Sequence, residues 1–445
     1  MAGTQTTPSG TSGQTSSIKK VAAASLIGTT IEWYDFFIYG TAAALVFPAL
    51  FFPEQDPVVG TLLSFATFGV GFFARPVGGV VFGHFGDRIG RKSMLIITLT
   101  MMGLATAAIG LLPSYDTIGV MAPILLTVLR FVQGLGVGGE WGGAVLMAVE
   151  HAPPGKRGFY GSWPQMGVPA GLILSNSAFL LLALMPEESF QTWGWRIPFV
   201  LSLVLVAVGL VIRLKIMESP GFAKVKAEKT EAKMPIVEVL KHHTKPVLLA
   251  AGAFIIINSY FYILVSYIIS YATAPAIGFS QGAVIGVLLF SSMVTFCTIP
   301  LWGALSDKVG RRTLYLIGTA GMGASAFAVF AAVDAGSLFW FAVAHTLALA
   351  GFLAMGYGPM AALYAELFST RLRYSGASLG YQGGAIFGGA LGPIVSVALF
   401  DATGTSLSIA LYVLAMAVIS FVCMYALTDT RTVDIDADTP LAQSV

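Results

Sequence analysis

Charge is scarce in this sequence. Only 10% of its 445 residues are Asp, Glu, Lys or Arg, against roughly 25% in an ordinary soluble protein, which excludes a water-exposed globular domain as the body of the chain. Cysteine occurs twice, at Cys297 and Cys423 in separate apolar runs; both are read as buried thiols and say little about redox compartment. The pair His242-His243 has no Cys or carboxylate cluster at ligand spacing beside it, so no metal and no cofactor is expected. The tail Asp434, Asp436, Asp438 lacks the Gly and terminal Glu of a calcium loop. No nucleophile with a matching base is found, which argues against an enzyme, and no sizeable soluble output domain, which argues against a membrane sensor. The basic pair Lys19-Lys20 precedes no short apolar core with a small-residue cleavage site, so no cleavable signal peptide is expected. A net charge of +2 says little about partners, and no nucleic acid is expected among them.

What the chain does have is apolar length. Hydrophobic residues make up 56% of it, in runs of the roughly 20 residues needed to cross a bilayer. Twelve such runs are read: 21–47, 58–83, 93–112, 121–149, 158–184, 197–216, 245–272, 280–303, 313–333, 337–366, 374–400 and 405–427. The fold class is therefore an all-α membrane protein, and the even number of runs puts both termini on one side. Every Lys and Arg except Arg75, Arg130 and Arg196 falls in the tails or in alternate loops. That asymmetry assigns both termini to the cytoplasm.

The chain is written twice. GHFGDRIGRK from Gly83 to Lys92 returns as GALSDKVGRR from Gly303 to Arg312, and the seven-residue step from Glu150 to Arg157 returns from Glu366 to Arg373. Acidic residues close runs 6 and 12 at Glu218 and Asp429. The expected organisation is a tail over 1–20, a six-helix bundle over 21–216, a solvated cytoplasmic linker over 217–244, a second six-helix bundle over 245–427 and a tail over 428–445. Parallel repeats with a substrate site at their interface are one architecture of secondary transporters.

These paired loops resemble those of the major facilitator superfamily. Within it, GTTIEWYDFFIYG, FARPVGGVVFGHFGDRIGRK, RFVQGLGVGGEWGG and ELFSTRLRYSGASLGYQ are similar to the metabolite:proton symporter family. The resemblance covers essentially the whole chain. It implies the major facilitator fold, a bacterial plasma membrane location, and transport of a small molecule with a proton by a chain that works as a monomer in the bilayer. Members of that family carry organic acids such as oxoglutarate, citrate and shikimate, or zwitterions such as proline and betaine. An acid importer is the favoured reading, a zwitterion importer the alternative and an exporter a more distant one.

The loop motif has a physical reading. Gly83, Asp87, Arg88, Gly90, Arg91 and Lys92, with Glu150, Arg157 and Glu218 as candidate partners, can form a charge network that clamps the two halves together. By resemblance it is a conformational latch, and its second copy uses Asp307, Lys308, Arg311, Arg312, Glu366 and Arg373. The glycines of RFVQGLGVGGEWGG follow no strand, which excludes a dinucleotide fingerprint. Gly134, Gly138 and Gly142, like Gly384, Gly388 and Gly392, have the small-xxx-small spacing of close helix contacts.

Deep charges are few: Glu32, Asp35, Arg75, Arg130, Glu140 and His345. A buried charge costs roughly 2.5–3.5 kcal/mol even on lenient insertion scales, so each is a functional candidate. Ser25, Thr29, Glu32, Asp35 and Tyr39 make one helical stripe, and Arg130, Gln133 and Glu140 another. With a rise of 1.5 Å per residue, Glu32, Arg75 and Glu140 fall at about 12–18 Å from the cytoplasmic ends and Asp35 at about 22 Å, within reach of Arg130. The upper pair, Asp35 with Arg130, is read as the proton-coupling site, with Glu32 nearby; proton-coupled sugar porters of the superfamily have an Asp and an Arg at matching places. Arg75 is the candidate partner of a substrate carboxylate. Gln133, Glu140, Trp33, Trp141, Asn258, Tyr262, Tyr381 and Gln382 complete the substrate-site candidates, and His345 is read as a helix-contact hydrogen bond.

Overall fold

The computed structural model describes residues 11–55, 57–182, 184–215, 235–370 and 372–427. Within a bilayer no water can satisfy backbone N–H and C=O groups, so long apolar runs must close their hydrogen bonds internally as helices. The chain does so in α1 (Thr11–Leu45), α2 (Pro57–Ile89), α3 (Arg91–Gly110), α4 (Met121–Glu150), α5 (Arg157–Leu182) and α6 (Arg196–Leu214). The second half repeats the pattern in α7 (Thr244–Ala272), α8 (Gln281–Val309), α9 (Arg311–Asp334), α10 (Leu338–Glu366), α11 (Arg373–Thr403) and α12 (Leu407–Ala426). Among the described residues, 11 helices are both long and apolar enough to cross a membrane. The twelfth, α1, has 35 residues; Glu32 and Asp35 lower its apolar character.

Two six-helix bundles result. In the first, α4 packs on α2 and α3, α1 on α5, and α6 on α3; in the second, α9 packs on α12 and α10, and α7 on α11 and α12. The bundles meet where α5 lies on α8 and α10 and where α2 lies on α11. Glycine sets the closest approaches. A Cβ on Gly138 would lie 2.0 Å from the Arg75 carbonyl oxygen, and one on Gly134 2.4 Å from that of Gly71, so the α2–α4 contact admits hydrogen alone. Gly384 and Gly388 fit against α7 in the same way.

Three expectations are corrected. The helix of α1 begins at Thr11, inside the expected tail, because Ile18 finds a buried place beside Ala22, Ala152 and Tyr160. The end of the expected solvated linker is a helix, Pro235–His242, whose Val239 is fully buried; its apolar side docks on α2 and α11. The thiols are not buried: Cys297 is exposed and Cys423 half-buried, since an outer helix face that meets lipid is itself an apolar environment. Glu218 and the C-terminal tail lie outside the described residues.

Three helices of the second half contain π-helical turns, Ile263–Tyr267 in α7, Leu347–Leu353 in α10 and Ile386–Ala390 in α11. Such turns leave carbonyls free for other donors and recur at functional sites. Here Leu264 O meets His345 Nε2 at 3.0 Å, with Nδ1 2.9 Å from Ser291 Oγ. Ala350 O accepts from Thr298 Oγ1 and Trp302 Nε1.

Candidate functional site: a cavity between the bundles and a charged interior beside it

A cavity lies between the two bundles, bounded by α1 and α5 on one side and α7, α8, α10 and α11 on the other. Its walls are largely apolar, with Leu172, Phe254, Ile257, Phe261 and Leu353 prominent. Of the substrate-site candidates, Trp33, Asn258 and Tyr381 line it. Trp141 does not; it stacks behind Tyr381 with ring centroids 3.8 Å apart, and Phe254 covers the other side at 4.1 Å. Trp141 Nε1 donates to Gln165 Oε1 at 2.7 Å, and Gln165 Nε2 donates to Tyr357 O at 3.1 Å. These contacts join the bundles beneath the cavity.

Arg75 is 2% exposed and forms no ion pair among the described residues. Its guanidinium instead lies over the rings of Phe36, Trp33 and Phe72, at 4.7, 5.1 and 5.3 Å from their centroids. Arg75 and Glu32 both act electrostatically on the hydroxyls of Tyr262, Tyr357 and Tyr381. Among the described residues, the buried atoms Glu32 Oε2, Trp33 Nε1 and Gln382 Oε1 have no hydrogen-bond partner. Leaving such groups unpaired is costly. Gln382 Nε2 donates to Gly138 O at 3.2 Å.

The expected direct pair of Asp35 with Arg130 is not formed. Arg130 Nη1 bonds Gln133 Oε1, while Gln133 Nε2 donates to Thr106 Oγ1 at 2.8 Å and to Asp35 O at 3.3 Å. Thr106 Oγ1 donates to Asp35 Oδ2 at 3.0 Å. Aromatic rings hold the guanidinium away: Tyr39, Phe36 and Phe68 lie 4.1, 4.5 and 4.7 Å below it, and the missing side chain of Gly71 leaves it room. Gln133 is thus a link in this relay, outside the cavity wall.

Glu140 also departs from expectation. It forms a buried ion pair with Arg213, and its Oε2 accepts from Thr98 Oγ1 at 2.9 Å. Gly28 provides the space for the guanidinium. From the sequence Arg213 reads as part of the basic loop after α6, yet it is 4% exposed. With it the formal charges deep in the described helices are equal in number: Arg75, Arg130 and Arg213 against Glu32, Asp35 and Glu140.

The duplicated loops form a crossed network at the end of the bundles that carries most of the basic residues. Asp87 accepts from Ser375 Oγ at 2.8 Å, Ser375 N at 3.0 Å and Tyr374 N at 3.3 Å, capping the start of α11 in the other half. Asp307 does the same for α5, accepting from Gly158 N at 2.9 Å and Phe159 N at 3.0 Å. Free N–H groups at a helix start and its dipole both favour an anion. Glu150 pairs with Arg91 of its own half and accepts from Arg373 Nη1 of the other at 2.8 Å. Arg311 pairs with Asp307 and Glu366 at 2.7 and 3.3 Å. Arg157 opens α5, Arg88 and Lys308 are exposed, and Arg312 lies over the Tyr425 ring at 4.7 Å.

The glycines of the motif are explained as well. Gly90 and Gly310 turn the chain with φ of 123° and 113°, a region that favours glycine. A Cβ on Gly83 would press on Ser375 Cα at 3.1 Å, and one on Gly303 on Gly158 O at 2.5 Å. Asp87→Asn removes the charge from three hydrogen bonds, and charged bonds are worth about 1.5–3 kcal/mol each against ~1 for neutral ones. The expected result is roughly tenfold faster alkylation of a cysteine introduced at the buried Ala377, in a background lacking Cys297 and Cys423. An unchanged rate would show that Asp87 does not hold this end closed.

Sequence reasoning missed Arg213, Thr98, Thr106, Gln165, Tyr357, Tyr374 and Ser375. Hydroxyls and amides within a span look like ordinary helix surface; only the stripe containing Gln133 hinted at the relay.

Residues 20–246 match the sugar (and other) transporter family, and residues 276–442 match the major facilitator superfamily. The inner membrane metabolite transport protein YhjE of Escherichia coli is 44% identical, over 93% of this chain and 94% of that protein. The shikimate transporter of the same organism is 42% identical over 93% and 95%. A proline/betaine transporter of Salmonella typhimurium is 33% identical over 96% and 87%. Among solved structures, the proton:xylose symporter XylE bound to 6-bromo-6-deoxy-D-glucose superposes with a TM-score of 0.78, over 95% of this chain and 98% of that one, at 16% identity. Shared fold, shared length and extensive identity lead to one conclusion: the chain belongs to the major facilitator superfamily, among its metabolite transporters, and is a transporter, not an enzyme.

Proposed function

We propose that this protein is a proton-coupled symporter that imports a small organic acid across the bacterial inner membrane by alternating access, acting as a monomer with both termini in the cytoplasm. The observation that carries this reading is Arg75, a buried cation without an ion-pair partner among the described residues, beside an apolar cavity between the bundles. The deep formal charges are equal in number, so protonating Asp35 or Glu32 leaves one positive charge uncompensated. A carboxylate cargo supplies the missing negative charge, and the pair crosses without a net buried charge, which would be expensive. Asn258, Tyr262, Tyr381 and Gln382 would hold the hydroxyl or carbonyl groups of the cargo, while the crossed network is the latch that closes the cytoplasmic side.

The 42% identity to a shikimate transporter supports an acid over the zwitterions in the name of the 33% identical relative. Counterflow in proteoliposomes with labelled shikimate, oxoglutarate, proline and betaine tests this. Exchange of an acid is expected. Exchange of the zwitterions alone would replace the cargo class, and no exchange of any of the four would overturn the reading.

A further inference from the structure

Two buried arginines share one aromatic ring. Arg75, the proposed substrate cation, lies 4.7 Å from the centroid of Phe36, and Arg130, of the proposed proton site, lies 4.5 Å from the same centroid. Each has further rings of its own, Trp33 and Phe72 for Arg75 and Tyr39 and Phe68 for Arg130. Among the described residues, Phe36 is the ring under both. It is fully buried, follows Asp35 directly in α1, and is wedged between Phe68 at 4.9 Å and Phe72 at 5.2 Å. It does not line the cavity.

From this geometry we infer that Phe36 is the positioning residue that couples cargo binding at Arg75 to the proton on Asp35. This rests on the symport reading above. A ring attracts cations through its electron-rich faces, most strongly in a dry site, so two guanidiniums on one ring compete for it while repelling each other. When a cargo carboxylate draws Arg75 toward the cavity, the ring is left to Arg130. Arg130 is then held on Phe36, Tyr39 and Phe68, away from Asp35, and the proton stays on Asp35 while the cargo is aboard. When the cargo leaves, Arg75 returns to the ring, Arg130 is loosened toward the Asp35 carboxylate, and the proton departs. The coupling is reciprocal, as linkage requires. The other charged and titratable groups around this point are Glu32 with Arg213 beside it, Tyr39, Tyr262, Tyr357 and Tyr381.

The test uses the full chain in proteoliposomes, with labelled shikimate as the probe. Counterflow and pH-driven accumulation by the wild type test the symport reading itself; the comparison of wild type with variants tests the ring. Phe36→Leu and Phe36→Met keep apolar bulk and remove the π face. Both are expected to retain counterflow, to lose about tenfold or more of pH-driven accumulation, and to show a flattened pH profile of uptake, while Phe36→Tyr restores accumulation and profile together. Wild-type accumulation by Phe36→Leu would overturn the assignment. So would a Phe36→Tyr variant that exchanges but stays uncoupled. Loss of counterflow, or aggregation, in both Leu and Met variants would make the ring a binding or packing element and overturn it equally.

Discussion

Asp35→Asn is expected to exchange labelled cargo across the membrane and to accumulate none of it against a gradient. Asn has the size of the protonated acid and can still accept from Thr106 Oγ1, which lies 3.0 Å from Asp35 Oδ2, so the packing of α1 against α3 and α4 survives. What disappears is the choice between a charged and a neutral state. Arg130 then has no carboxylate to approach, whichever way the cavity faces, and the conformational cycle proceeds without regard to protons. For an electroneutral one-to-one symporter, a gradient of one pH unit sustains about tenfold accumulation, because 1.36 kcal/mol is a factor of ten. In the variant that ratio falls to about one. Accumulation by Asp35→Asn equal to that of the wild type would move the proton site elsewhere, with Glu32 the next carboxylate to test.

The second large effect concerns stability. Arg213→Leu strands Glu140, and Glu140→Leu strands Arg213, in an interior where both partners are nearly inaccessible. Removing one member of a buried ion pair costs about 3–5 kcal/mol, whereas replacing both by apolar groups of similar volume is often neutral or stabilising. Each single variant is therefore expected to lower the Tm in detergent sharply and to reduce the folded yield. The double variant Arg213→Leu with Glu140→Leu is expected to recover most of the loss. Thr98 Oγ1 loses its carboxylate acceptor but keeps Met94 O at 2.9 Å. Thermal melts of the four proteins decide the matter: a double variant as unstable as the sum of the singles would show that the pair is not an isolated couple.

Much of this architecture could be read from the residues. Helices follow from apolar length alone, and the repeated Gly, Asp and basic positions mark both the duplication and the place of the crossed charge network. The partners of Asp87 and Asp307 could not be read, because they are backbone N–H groups at the start of helices in the opposite half, and a backbone donor leaves no mark in a sequence. Arg213 was hidden by its neighbours. With Lys215 two residues on, it looks like an ordinary basic helix end, and only the missing side chain of Gly28 and the ion pair with Glu140 show that it turns inward. Spacing put Asp35 and Arg130 within reach of each other, yet it could not reveal that Phe36, Tyr39 and Phe68 hold the guanidinium aside. The π-helical turn of α7 has no Gly or Pro to announce it, and the glycines in those of α10 and α11 read equally well as packing positions.

The most direct test of symport is proton movement on addition of cargo. In weakly buffered proteoliposomes with no imposed gradient, adding shikimate outside should make the external medium more alkaline, at one proton per cargo charge. The same addition to Asp35→Asn should leave the pH unchanged. External acidification by the wild type would make the protein an exchanger of cargo for protons, and cargo entry with no pH change would make it a uniporter; either result contradicts this account.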